Sequence, residues 1–95
     1  MPAYFIAEIE VTNAAGYELY RPLAGASIAQ YGGKFLVRGG HAELAEGSPE
    51  PARVVVVEFT DMAAAKRWYN SPEYREAIKI RLANSRGRAL FVEGT

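Results

Sequence analysis

Arg53-Val54-Val55-Val56-Val57-Glu58-Phe59 decides the fold. Four consecutive valines favour a strand, because β-branched side chains are stiff and pack well on a pleated surface. Successive strand residues point to opposite faces, so a continuous apolar run implies burial on both. Two other segments repeat this pattern. Ala3 to Val11 places Phe5, Ala7, Ile9 and Val11 on one face and Tyr4 and Ile6 on the other, with Glu8 and Glu10 following them. Arg88 to Glu93 sets Leu90 and Val92 against Ala89 and Phe91. Lys34 to Arg38 reads as a shorter strand, loosened by Gly39-Gly40-His41 and followed by a loop through Glu46 to Pro51.

Helical spacing fills the intervals. Thr12-Asn13 offers a cap, and Tyr20, Leu23, Ala24, Ser27, Ile28 and Tyr31 recur at helical period up to Gly32-Gly33. Pro22 lacks an amide donor and crowds the preceding turn, which predicts a kink or restart near Tyr20. Thr60-Asp61 caps a second helical region through Met62, Ala65 and Trp68. That region breaks at Ser71-Pro72, where Ser71 can cap and proline suits the first helical position. A further helical piece runs from about Pro72 to Ala83, and Asn84-Ser85-Arg86-Gly87 reads as a turn before the last strand.

The order is strand, helix, strand, strand, helix, strand. Two right-handed crossovers of this kind give an α+β, ferredoxin-like βαββαβ sandwich: a four-stranded antiparallel sheet with its helices on one face. The helices cover only one face, yet the strands are apolar on both. A monomer would expose Tyr4, Ile6 and alternate valines in a large patch. A twofold homodimer with sheets packed face to face resolves this.

Residues 1–95 suffice for one domain with one modest core. Eleven basic and eleven acidic side chains cancel, which favours neither nucleic acid nor an anionic membrane as partner. Eight of the eleven bases are arginine, a residue suited to fixed ion pairs or carboxylate recognition. The absence of cysteine excludes disulfides, thiol catalysis and thiolate metal sites. No apolar run reaches the ~20 residues of a membrane helix, and the start lacks signal-peptide features, so a cytoplasmic protein is expected. An RNA-recognition module shares this element order, but the third strand lacks its stacking aromatics.

The stretch Trp68-Tyr69-Asn70-Ser71-Pro72-Glu73-Tyr74 sets three aromatics around the helix break. With Tyr20, Tyr31-Gly32-Gly33, Leu36-Val37-Arg38-Gly39-Gly40, Glu58-Phe59, Ala65 and Arg81, it resembles the family called domain of unknown function 1330 over nearly the whole chain. The resemblance implies a dimeric α/β-barrel built from two ferredoxin-like protomers. Its wider structural relatives include cofactorless monooxygenases, small isomerases and haem-dependent peroxidases, so the fold does not assign the reaction.

The candidate ligand-binding residues are Tyr20, Arg38, Trp68, Tyr69, Tyr74 and Arg81. Trp68 shares a helical face with Ala65 and Met62, which favours a core role over a pocket role. Tyr69 and Tyr74 stand open between packing and a site, since each hydroxyl needs a partner or solvent. Arg81 lies on the apolar stripe of Tyr74, Ala77 and Ile78. It acts either as a clamp for a carboxylate or enolate-like oxygen, or as a structural partner of Glu8, Glu58 or a carbonyl. Arg38 stands beside glycines that allow close ligand approach or serve a bulge, the bulge being favoured. Glu8 and Glu58, if brought together, would leave one carboxyl with a raised pKa suited to base catalysis; the other reading is partnership with Arg38 or Arg81.

His41, the lone histidine, sits in a glycine-rich loop and is expected to face solvent. No metal site and no cofactor are expected. The functional reading is a small homodimer that binds a small organic ligand between sheet and helices, with cofactor-independent, monooxygenase- or isomerase-like chemistry as its enzymatic form. The alternative is a non-catalytic dimerisation or interaction module.

Overall fold

A computed structural model describes residues 1–95. Strands β1 (Ala3–Val11), β2 (Lys34–Gly40), β3 (Arg53–Phe59) and β4 (Ser85–Glu93) form one sheet in the order β2-β3-β1-β4, with every pair antiparallel. Helices α1 (Ala14–Glu18), α2 (Tyr20–Gln30), α3 (Met62–Tyr69) and α4 (Pro72–Asn84) supply the two crossovers. The slab measures 32 × 30 × 16 Å, about the thickness of one helical layer on one sheet. The ferredoxin-like architecture read from the sequence is the observed one.

Local chemistry sets the element ends. Asn13 Oδ1 caps α1 by accepting from Gly16 N–H at 3.1 Å, and Asp61 Oδ1 caps α3 by accepting from Ala64 N–H at 2.8 Å. The predicted restart occurs at Leu19, between α1 and α2. It leaves Pro22 in the first turn of α2, where amide donors have no intrahelical acceptor. Gly32 closes α2 at φ +79°, and Gly33 N–H returns to the Ile28 carbonyl at 2.8 Å. A side chain at Gly33 would press on Ile28 and Phe59.

The sheet presents two different faces. The helix side buries Ala3, Phe5, Ala7 and Ile9 of β1 with Val57 and Phe59 of β3. The opposite side carries a row across all four strands: Val37, Val56, Ile6 and Leu90 lie opposite one another in register, with Tyr4 and Val92 alongside. These side chains are half-buried or exposed, Leu90 to 40% and Val92 to 38%. No helix covers them.

Two boundaries differ from the sequence reading. β2 runs on through Gly40, because a register shift between Arg38 and Gly40 absorbs the glycines as a bulge. The turn expected at Asn84 to Gly87 is absent, and β4 begins at Ser85 directly after α4. The Asn84 carbonyl accepts from both Thr12 and Asn13 N–H, at 2.9 and 3.1 Å, and so ties the end of α4 to the end of β1. Gly87, at φ +153°, lets its backbone approach Glu8 closely enough for the β1–β4 ladder to extend to Val11 and Ser85.

Candidate functional site

The bend between α3 and α4 forms as its sequence dictates. Ser71 Oγ accepts from Tyr74 N–H at 3.1 Å and donates to the Trp68 carbonyl at 2.7 Å, with Pro72 at the first position of α4. Trp68 is fully buried. Its ring stacks on Phe59 at 5.4 Å and meets Phe5 edge-on at 5.0 Å. Its indole N–H donates to Ser27 Oγ at 3.0 Å, and Ser27 Oγ donates to the Ala24 carbonyl at 2.8 Å. Every polar atom in this chain of contacts has a partner, as burial requires.

Two helical turns beyond Tyr74, the same buried stripe of α4 ends in Arg81. Arg81 Nη1 donates to Tyr74 Oη at 3.2 Å, and Tyr74 Oη lies 2.8 Å from Tyr20 Oη. The proton order follows from donor counting. Arg81 can only donate, and Tyr74 is fully buried with no acceptor other than Tyr20. The Tyr74 hydroxyl therefore donates to Tyr20, which leaves the Tyr20 proton free to point elsewhere. Burial raises the pKa of Tyr74 above the tyrosine range, and the Tyr20 phenol beside it pushes the same way. Burial also raises Tyr20, against the opposing hydrogen bond from Tyr74 and the charge of Arg81. Both phenols are neutral at physiological pH.

Tyr20 and Arg81 line a cleft between the sheet and α1–α2, floored by Ala7, Val55 and Val57 and walled by Tyr17 and Phe35. Arg21, Arg38 and Arg53 also line it. Arg38 is exposed, with its guanidinium 4.4 Å from the Phe35 ring centre. Arg53 lies 5.9 Å from the Tyr17 ring centre, and its buried Nε has no hydrogen-bond partner. Arg21 pairs with Glu18 at 3.1 Å, but Arg38, Arg53 and Arg81 enter none of the chain's ion pairs. No carboxylate or imidazole lines the cleft. Its chemical capacity is electrostatic: a neutral phenol donor and several cations facing an apolar space. The enclosed volume is about 30 Å³, roughly enough for two water molecules.

Of the six residues singled out from sequence, Tyr20, Arg38, Trp68 and Arg81 meet at this cleft. Tyr74 stands behind it, joined through hydrogen bonds. Tyr69 faces a separate hollow of about 140 Å³ that it shares with Arg81, Ser85 and Arg86. Glu8 and Glu58 do not form the carboxylate pair considered from sequence, nor do they neutralise Arg38 or Arg81. In register Tyr4 faces Glu58 while Glu8 faces Val54, which sets the two acids four positions apart on the outer face, and Glu8 pairs with Arg88 at 3.4 Å. His41 is exposed and bonded to Glu43 at 3.0 Å. Sequence reasoning missed Arg53 and Tyr17. The signal for Arg53 was present, since alternation puts it on the same face as Val55 and Val57.

The family model described as "Domain of unknown function (DUF1330)" matches residues 2–95. No curated protein matches the chain. Several solved structures share its fold. A protein of unknown function from Rhodopseudomonas palustris is similar at a TM-score of 0.81 and 21% identity, over 99% of this chain and 82% of that one. A dimeric ferredoxin-like protein of unknown function from Jannaschia sp. CCS1 gives 0.76 and 17%, over 100% and 99%. SnoaB, a cofactor-independent oxygenase from Streptomyces nogalater, gives 0.70 and 20%, over 99% and 93%. At these identities the likeness is one of fold. No helix of this chain is long and apolar enough to cross a membrane.

Proposed function

Because the chain belongs to the domain of unknown function 1330 family, whose description names no reaction, we propose its function from the cleft: it is a homodimeric protein that binds a small organic ligand between the sheet and α1–α2. The observation that carries this is Arg81. It is 8% exposed, has one hydrogen-bond acceptor in Tyr74, and has no counterion. A buried cation left without a carboxylate is unfavourable in a merely structural role. It is useful where a ligand supplies the missing charge or dipole. The dimer rests on the row Val37, Val56, Ile6 and Leu90, an apolar face that a second copy would cover. A dimeric ferredoxin-like protein and a cofactor-independent oxygenase with the same fold accord with this reading.

A second reading, a non-catalytic dimerisation module, draws on the small enclosed volume of about 30 Å³. Organic-ligand pockets usually occupy ~300–1,000 Å³, so binding requires the long side chains at the cleft mouth to move aside. Crystals soaked with small aromatic compounds separate the two readings. Ligand density between Tyr20 and Phe35, with Arg38 or Arg53 displaced, supports the first; a cleft that stays closed to all of them supports the second. Light scattering at micromolar concentration tests the dimer, which a stable monomer would remove.

A further inference from the structure

Resting on the ligand-binding reading, we infer that the ligand class is a compact aromatic carboxylate whose anionic group is held by Arg53 and Arg38 and whose ring lies among Tyr17, Tyr20 and Phe35. Four arginines line one cleft with no acid among its lining residues. Only Arg21 has a carboxylate partner. Of the other three, Arg81 is buried, Arg53 half-buried and Arg38 exposed, and Arg53 holds a buried Nε–H that donates to nothing, as does one Nη of Arg75 outside the cleft. Such a group is ordinarily satisfied in a folded protein, and a carboxylate oxygen is an acceptor of the right strength.

The surrounding chain makes room for these guanidiniums. Gly39, whose φ of +72° favours glycine, lies against the Arg53 guanidinium, which would have to shift to admit a side chain there. Gly25 lies inside α2, where nothing about the backbone requires glycine. A Cβ there would come within 3.3 Å of Arg38 Nη2. Two glycines on separate elements thus lie against the tips of two arginines that have no carboxylate partner in the protein.

The rest of the cleft argues for an aromatic body. Eleven of its fifteen lining residues are hydrophobic. Rings at Tyr17, Tyr20 and Phe35 offer stacking surfaces, and Arg38 already lies over Phe35. The free proton of Tyr20 gives one neutral donor at the inner end, suited to a ring hydroxyl or carbonyl oxygen of the same ligand. Lysine, a common phosphate partner, is absent from the lining.

Matched carboxylate and carboxamide pairs test the inference on the intact protein. The pairs are benzoate with benzamide, salicylate with salicylamide and cinnamate with cinnamamide, alongside inorganic phosphate, all measured by calorimetry and thermal shift. At least one carboxylate is expected to bind about tenfold or more tightly than its amide, in line with a charge-assisted contact. Arg53→Met and Arg38→Met should each weaken that carboxylate by about tenfold while leaving the ligand-free melting temperature unchanged or higher. Equal binding of acid and amide overturns the anion assignment and leaves the ligand-binding reading standing. Phosphate binding in preference to the aryl acids overturns the assignment in favour of phosphate. If no compound binds, and Arg53→Met and Arg38→Met lower the melting temperature, the arginines are structural and both readings fall.

Discussion

The arginines on the two sides of the sheet are treated differently. On the outer edge, Arg86 and Arg88 of β4 face Glu10 and Glu8 of β1 across the strand pair, at 2.5 and 3.4 Å. Both pairs are exposed. The Arg86 hydrogen bond and charge lower the Glu10 pKa, and Glu10 raises that of Arg86 in return. On the helix side, Arg38, Arg53 and Arg81 have no acid. The matched charges lie where water would have screened them anyway; of the unmatched ones Arg81 is buried, Arg53 half-buried and Arg38 exposed at the cleft mouth. Pairing thus separates these two β4 arginines from Arg38, Arg53 and Arg81, although Arg21 in the cleft is paired and Arg67 and Arg75 outside it have no acid either.

That contrast can be broken by substitution. The largest effect belongs to the aromatic corner, where Trp68 is packed in the core. Trp68→Ala should destabilise the fold by about 3–5 kcal/mol in chemical denaturation; a variant as stable as the parent would mean the corner is not the core. Tyr74→Phe should cost about 1–3 kcal/mol, because Arg81 loses its one acceptor and Tyr20 loses its donor. The same pair of phenols predicts an alkaline limit. Their folded-state pKa values lie above the ordinary tyrosine value of 10.0. Their contribution is thus complete below about pH 10 and is lost as pH rises beyond it, where the unfolded chain releases protons that the folded one retains. Tyr74→Phe should blunt that loss in a pH-dependent melting series, and an unchanged alkaline slope would contradict the buried relay.

Arg81→Met sharpens the contrast between site and scaffold. A structural arginine would make this variant unstable. An unpaired one should leave stability within about 1 kcal/mol of the parent, since a hydrophobe of similar length removes a buried charge, and any bound ligand should be lost. The smallest effect is expected on the outer edge. Glu10→Gln should leave the melting temperature unchanged in physiological salt, because exposed pairs are screened and entropically opposed. A clear drop would show that the two sets of arginines differ less than their geometry implies.

The fold was legible because its strands carry strong patterns. The valines of β3 and the alternation in β1 fixed both faces, and Ser71-Pro72 marked its own helix start. The boundary at Ser85 was not legible, because it depends on the Asn84 carbonyl meeting two amides of residues more than seventy positions away in sequence. The site was legible only in part. Helical spacing put Arg81 on the Tyr74 stripe, and the hydrogen bond between them follows from it. Which side of the cleft each tyrosine would take was not readable, since Tyr69 and Tyr74 lie around one bend and diverge through packing. Arg53 escaped notice because the valines that follow it dominated the segment, although its strand phase already aimed it inward.

Gly25 has a consequence for how this chain can vary. Glycine inside a helix sacrifices up to about 1 kcal/mol relative to alanine, and at this position the space it leaves is taken by Arg38. Alanine at position 25 would need the exposed Arg38 tip to shift by only a few tenths of an ångström, so the constraint on a sturdier α2 is a mild one. Among relatives of this protein, a bias should follow where the arginine sits as it does here: alanine entering the helix more often where residue 38 is not an arginine. That bias is a record, readable in sequences alone, of whether the guanidinium at the lip of the cleft has been worth keeping.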